Sequence, residues 1–165
     1  MLRAADNPFA VHRVLRERYR LSETEWTHLL RRLERLGWRG AIVGPNGSGK
    51  TTLLEDLGKR LDASGRRDVQ LVDGADQLSR VEWWRLRLRS GGLVITTHKR
   101  AMLPVLHECV TTPDLLREIT ASLGVPLPVA ECASLLRRHG GNIRDALREL
   151  YDRESASPVS HVGVL

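Results

Sequence analysis

Lysine is nearly missing from this 165-residue chain: of 26 basic residues only Lys50, Lys59 and Lys99 are lysines. Aromatic residues are also few, at 4%, with a single phenylalanine, Phe9. Tyr19, Tyr151 and the four tryptophans fall mostly on amphipathic helix faces. Few rings are left over for base stacking, which argues against a single-strand nucleic-acid platform. No stretch approaches the roughly 18 uncharged apolar residues that a membrane-spanning helix needs, so no membrane partner is expected. Residues Met1-Leu2-Arg3-Ala4-Ala5-Asp6 lack the apolar core of a secretion signal. Cysteine is limited to Cys109 and Cys132, without metal-ligand spacing. Together these absences lead us to expect a cytoplasmic protein with two unpaired, buried thiols. No internal repeat or low-complexity tract is present.

The chain carries 41% apolar and 28% charged residues, ordinary for a globular protein, and its length fits one domain with room for a small helical addition. Its net charge is +6 and its pI about 10.1. Between residues 80 and 100, Arg80, Arg85, Arg87, Arg89, Lys99 and Arg100 face only one acid, Glu82. That cluster is a candidate surface for nucleic acid or an acidic partner, or else a solvated helix face.

The most informative stretch is Gly44-Pro45-Asn46-Gly47-Ser48-Gly49-Lys50-Thr51, which fits G-x-x-x-x-G-K-[ST] at every fixed position. Apolar Ala41-Ile42-Val43 precedes it as a buried-strand candidate, and Thr52 to Leu61 follows with leucines at helical spacing. Strand, glycine loop and helix are the setting such a phosphate-binding loop requires. Glycines let successive N–H groups turn inward toward phosphate oxygens, and the helix N-terminus adds positive potential there. Lys50 would reach the β- and γ-phosphates, the Thr51 hydroxyl would ligate Mg²⁺, and Thr52 would complete the cradle. A nucleoside triphosphate is the expected ligand.

Downstream, Asp68 to Asp73 reads as a strand ending in an acid. Asp73 is the candidate for holding the metal's water shell opposite Thr51. Ser79 or a near neighbour would cap a helix through Val81–Arg89, with tryptophans and leucines on a half-buried face and arginines on the other. Leu93 to His98 forms a β-branched strand with a polar end. Thr97, and less decisively His98, could there report the γ-phosphate. Pro104 to Val110 contains another short strand.

The flanks read as helical. Val11 to Arg20 shows apolar residues at three- and four-residue steps, and Ser22 with Glu25 forms a capping-box pattern before a helix to about Leu36, stopped by Gly37. Past Pro113, helices span 114–123, 129–139 and 143–153. We therefore divide the chain into a helical segment 1–38, a core 39–112, a helical lid 113–154 and a tail 155–165.

In these motifs the chain resembles the AAA+ group of P-loop ATPases over roughly Arg39 to Arg153. Gly44–Thr51 corresponds to Walker A, Val69–Asp73 to Walker B and Leu93–Thr97 to the strand ending in a first sensor. Gly140-Gly141-Asn142-Ile143-Arg144 is similar to the start of the lid's sensor-2 helix, which would bring Arg144 near the γ-phosphate. The resemblance implies an α/β P-loop NTPase fold, a three-layer αβα sandwich with a short, mostly parallel sheet and a C-terminal helical lid. It also implies ATP with Mg²⁺, adenine being favoured through resemblance alone because no N-K-x-D guanine-reading element occurs. Assembly with itself or with a protein partner is part of the same expectation, and Arg100 stands where a trans-acting arginine finger could lie.

Two departures stand out. Gly74 replaces the glutamate that polarises the attacking water in that family, so Asp76 or Glu82 would have to substitute. Only 22 residues separate Lys50 from Asp73, too few for the family's extra strand and helix. In the family's strand order, 5-1-4-3-2, the missing strand is an edge one. Four core parallel strands are thus expected, with Ala41–Val43 and Leu93–Thr96 adjacent in the middle. The leading functional expectation is an ATP-binding switch that hydrolyses ATP, slowly if nothing replaces the glutamate. The alternatives are a small-molecule or nucleotide kinase using Asp73 or Asp76 as base, and a nucleic-acid-associated module in which nucleotide only stabilises the fold.

Overall fold

A computed structural model describes residues 7–14, 19–89, 91–99 and 103–156. The chain divides into two compact units. Residues from 18 to 110 form one, and residues up to 17 join those from 111 onward in the other. The expected segment 1–38 is therefore shared between the two units. The apolar side chains explain why: Phe9 packs with the C-terminal helices, whereas Trp26, Leu29 and Leu33 pack on the sheet.

The first unit is α/β. Its strands are β1 (Arg39–Val43), β2 (Val69–Val72), β3 (Gly92–Thr97) and β4 (Val105–Glu108). They form one sheet in the order β2-β3-β1-β4, with every pair parallel. As expected, β1 and β3 lie side by side in the middle, with Val43 opposite Thr97. Every residue of β3 is buried, as a central parallel strand covered on both faces should be.

Strand alternation sends Ile42, Val69, Val94 and Leu106 to one face of the sheet. There they meet leucines of α2 (Glu23–Arg35) and α3 (Lys50–Ala63). The other face carries Ala41, Val43, Leu93 and Ile95. It is covered by Ala75, in the 3-10 turn Ala75–Gln77, and by Trp83 of α4 (Arg80–Arg89). Helical structure on both faces is compatible with a three-layer αβα sandwich.

Helix α2 begins as its sequence indicates. The Ser22 hydroxyl accepts from the Glu25 N–H at 3.3 Å, and the Glu25 carboxylate accepts from the Ser22 N–H at 2.7 Å. It ends where Gly37 and then Trp38 take left-handed φ values of 65° and 62°. Trp38 is no β-turn residue by preference, and the Arg66 guanidinium 3.9 Å above its ring covers it in that conformation.

Helix α4 departs from expectation. Trp83 is buried, but Val81, Trp84 and Leu88 are 59%, 59% and 78% exposed. Only one narrow side of the helix meets the sheet, through Trp83 and the half-buried Leu86. Val81, Trp84 and Leu88 recur on a different stripe, so apolar residues are not confined to the face that packs.

The second unit is helical. Its elements are α1 (Val11–Val14), α5 (Pro113–Ser122), α6 (Val129–Arg138) and α7 (Ile143–Ala156). Of the anticipated helix over 11–20, Val11–Val14 is helical and Tyr19 and Arg20 are not; residues 15–18 lie outside the described residues. Leu116, Cys132, Leu135, Ile143, Ala146 and Leu150 form the core with Phe9. Asn7 is fully buried, and its amide donates to the Tyr151 carbonyl and the Ser155 hydroxyl, each at 2.9 Å. Among the described residues, no helix is long and apolar enough to cross a membrane.

Candidate functional site

The site is built where β1 turns into α3. Strand β1 is held on both sides, so its end is rigid: the Gly44 N–H donates to the Thr97 carbonyl at 3.3 Å and the Cys109 N–H to the Val43 carbonyl at 2.7 Å. Gly44 sits so tightly that a Cβ there would lie 2.7 Å from both the Ser48 hydroxyl and the Cys109 carbonyl. Gly47 and Gly49 are left-handed, with φ of 68° and 89°. Helix α3 starts at Lys50 with no side-chain cap and no acid in its first turn. Its first turn thus supplies no carboxylate of its own to the N-terminal amides and dipole.

Lys50 is buried, and its ammonium donates to the carbonyls of Gly44 and Pro45 at 2.8 Å each. It spans the loop instead of extending into solvent. Burial pulls its pKa below the usual lysine value, against the opposing pull of Cys109, Asp73 and Asp76. A desolvated cation held in this way gains by meeting an anion. The Ser48 hydroxyl is buried and, among the described residues, has no nitrogen or oxygen partner. Burial raises the neighbouring Cys109 thiol, while Tyr19, Lys50 and Ser48 pull it back.

Opposite the loop, the Thr51 hydroxyl donates to one oxygen of Asp73 at 3.0 Å. The other Asp73 oxygen accepts from the Thr96 hydroxyl at 2.5 Å, and the same hydroxyl accepts from the Gly74 N–H at 2.7 Å. Thr96, in the middle strand β3, therefore fixes the end of β2 against β3. A hydroxyl and a carboxylate so paired are hard oxygen donors suited to Mg²⁺. Among the described residues no group of three or more His, Cys, Asp or Glu side chains is arranged to hold a metal. An ion at Thr51 and Asp73 would take its remaining ligands from water and phosphate.

Gly74 now has a structural reason. Its φ of 68° is left-handed, a conformation that glycine adopts readily and glutamate does not. That bend leads into the 3-10 turn and carries Asp76 back over the end of β3. The Asp76 carboxylate accepts from the Thr97 hydroxyl at 2.6 Å, the His98 N–H at 2.9 Å and His98 Nδ1 at 2.8 Å. These bonds, the Thr97 one foremost, hold the Asp76 pKa below its usual value. On the far side of the same ring, His98 Nε2 meets the Asn46 side-chain oxygen at 2.5 Å.

The loop residues 44–52, with Asp73, Asp76 and Thr97, are thus gathered at one end of the sheet. Thr97 does not stand free as a sensor, because its hydroxyl is engaged by Asp76. Glu82 cannot stand in for the missing glutamate. It caps α4, accepting from the Ser79 N–H at 2.9 Å and the Ser79 hydroxyl at 2.6 Å. Arg144 lies in the first turn of α7, in the helical unit and not in the one carrying the loop. Arg100 lies outside the described residues.

Tyr19 was not legible as a site neighbour, because its spacing suited an amphipathic helix. Its ring carbons lie 3.1–3.2 Å from where a Cβ on Gly49 would be. Its N–H donates to Asp56 at 3.1 Å, and its hydroxyl pairs with His107 Nε2 at 3.0 Å. Burial raises the phenol's pKa, so it stays neutral.

A scan of family models, a search of curated proteins and a search of solved structures found no match.

Proposed function

We propose that this protein is a P-loop NTPase that binds Mg-ATP at Gly44–Thr52 and hydrolyses it as a nucleotide-controlled switch. The observation that carries the reading is the convergence of Lys50, lying across the glycine loop, with the Thr51–Asp73 pair beside it. One cation and one metal-suited oxygen pair at an uncapped helix start form a set with a common use. Exchange of its two carbonyl partners for phosphate oxygens would give Lys50 a charged partner in a desolvated setting. Thr51 and Asp73 would hold Mg²⁺, which when bound neutralises phosphate charge. Thr96 would keep Asp73 in register, and the loop's N–H groups would orient the phosphates. The choice of adenine rests on the AAA+ resemblance alone.

The reading is tested by thermal unfolding of the full chain with ATP, with and without Mg²⁺. A ligand that binds only the folded state raises stability with concentration, by about 2.7 kcal/mol at a hundredfold excess over its Kd. We expect Mg-ATP to raise the melting temperature of the wild type, and Asp73→Asn to lose the part of that rise that depends on Mg²⁺. An unchanged melting temperature across millimolar Mg-ATP would sink the proposal.

A further inference from the structure

We propose that Asp76 and His98 form a catalytic dyad that replaces the absent glutamate, with His98 Nε2 accepting the proton of the water that attacks the γ-phosphate. This rests on the reading of the glycine loop as an ATP site. His98 Nδ1 lies 2.8 Å from an Asp76 oxygen, and the same carboxylate accepts from the backbone N–H of His98. Two bonds from one residue to one carboxylate fix the ring's position, and with the carboxylate accepting from Nδ1–H the neutral ring has its lone pair on Nε2. Thr97 locks the other Asp76 oxygen at 2.6 Å, so the orienting group is itself oriented.

Nε2 points to the loop. Its partner there is the Asn46 amide, third residue of the glycine motif. With a lone pair on Nε2 the Asn46 amide must present its nitrogen, not its oxygen, as the donor to the ring, and the attacking water takes that donor's place. The ring is 45% exposed, so a water can reach it. Buried Lys50, by contrast, has its ammonium engaged by carbonyls and cannot act as base. Of the two acids that could substitute for the glutamate, Glu82 is tied to Ser79, which leaves Asp76 acting through His98.

The step balances without any further reactant. Water oxygen forms the new bond to the γ-phosphorus, and the bond from that phosphorus to the β,γ-bridging oxygen breaks, releasing ADP. The water proton moves to Nε2, the imidazolium is stabilised by Asp76, and the proton then passes to solvent. His98 is the catalytic residue; Asp76 is a positioning residue.

The test combines Mg-ATP affinity by equilibrium titration with phosphate release, for wild type, His98→Ala, His98→Gln and Asp76→Asn. General-base catalysis contributes on the order of 10²–10⁴-fold, so we expect kcat to fall by about 10²-fold or more in both His98 variants. Affinity should stay within about threefold, and added imidazole should restore part of the His98→Ala rate. Asp76→Asn should lower kcat by roughly tenfold or more with little change in KM, a split that mere loosening of the fold would not give. Wild-type turnover that survives in both His98 variants would overturn the dyad and leave the ATP site standing. Binding without any wild-type turnover would overturn it equally. Absence of wild-type binding would instead remove the reading beneath it.

Discussion

At Gly74 a single backbone conformation decides what chemistry is available. Its φ of 68° turns the chain so that Asp76, two residues on, reaches Thr97 and His98. Gly74→Ala should therefore cost about 1 kcal/mol in urea unfolding, from the left-handed conformation alone. Gly74→Glu should lose as much and should not raise turnover, because the side chain would displace the turn that positions Asp76. A Gly74→Glu protein of undiminished stability would contradict this account of the bend. That a helix begins at the end of the glycine loop and that Thr51 stands beside Asp73 was legible, because both follow from spacing around that loop. The sequence named Asp76 but not its partners, since which way a carboxylate points depends on a φ angle that no periodicity reports. Tyr19 was misread for a related reason: apolar spacing over ten residues suited a helix face, whereas its ring lies beside Gly49.

At the scale of elements, helices were easier to find than the faces they bury. The caps of α2 and α4 follow directly from serine and glutamate three residues apart. The buried side of α4 does not, because its apolar residues occupy more than one stripe. The two adjacent tryptophans separate these cases. Trp83→Ala should cost about 3–5 kcal/mol, as expected for removing a buried indole. Trp84→Ala, at a position 59% exposed, should stay within about 0.5 kcal/mol of wild type. Equal losses in chemical denaturation would show that α4 packs differently. The interval between Lys50 and Asp73 was readable as room for one helix and one strand, and β2 takes the edge beside β3. The expectation of adjacent β1 and β3 matches the observed pairing, with Val43 opposite Thr97.

For the whole molecule, the division into an α/β unit and a helical unit was visible in part. The C-terminal helices were anticipated to within three residues at each end, but the attachment of Phe9 to their core was not, because a long-range contact leaves no local pattern. The helical unit carries its own ionic staple. Glu149 of α7 pairs with His139 at 2.6 Å and with Arg138 at 2.9 Å, and Arg153 joins it. These partners, His139 foremost, hold the Glu149 pKa at about 2, down from an ordinary 4.5. A depressed folded-state pKa gives stability that is present above the unfolded value and lost as pH falls through the folded one. Glu149→Gln should therefore lower the melting temperature at neutral pH, and the gap from wild type should close as pH falls from about 4.5 toward 2. A gap that stays constant across that window would assign the effect to packing instead of charge.

The α/β unit carries the central claim, and direct titration of Mg-ATP into wild-type and Lys50→Ala protein tests it most simply. The account predicts saturable binding of one nucleotide per wild-type chain and its loss in Lys50→Ala, with both proteins folded by circular dichroism. Equal binding by the two proteins, or no binding by either, would contradict it.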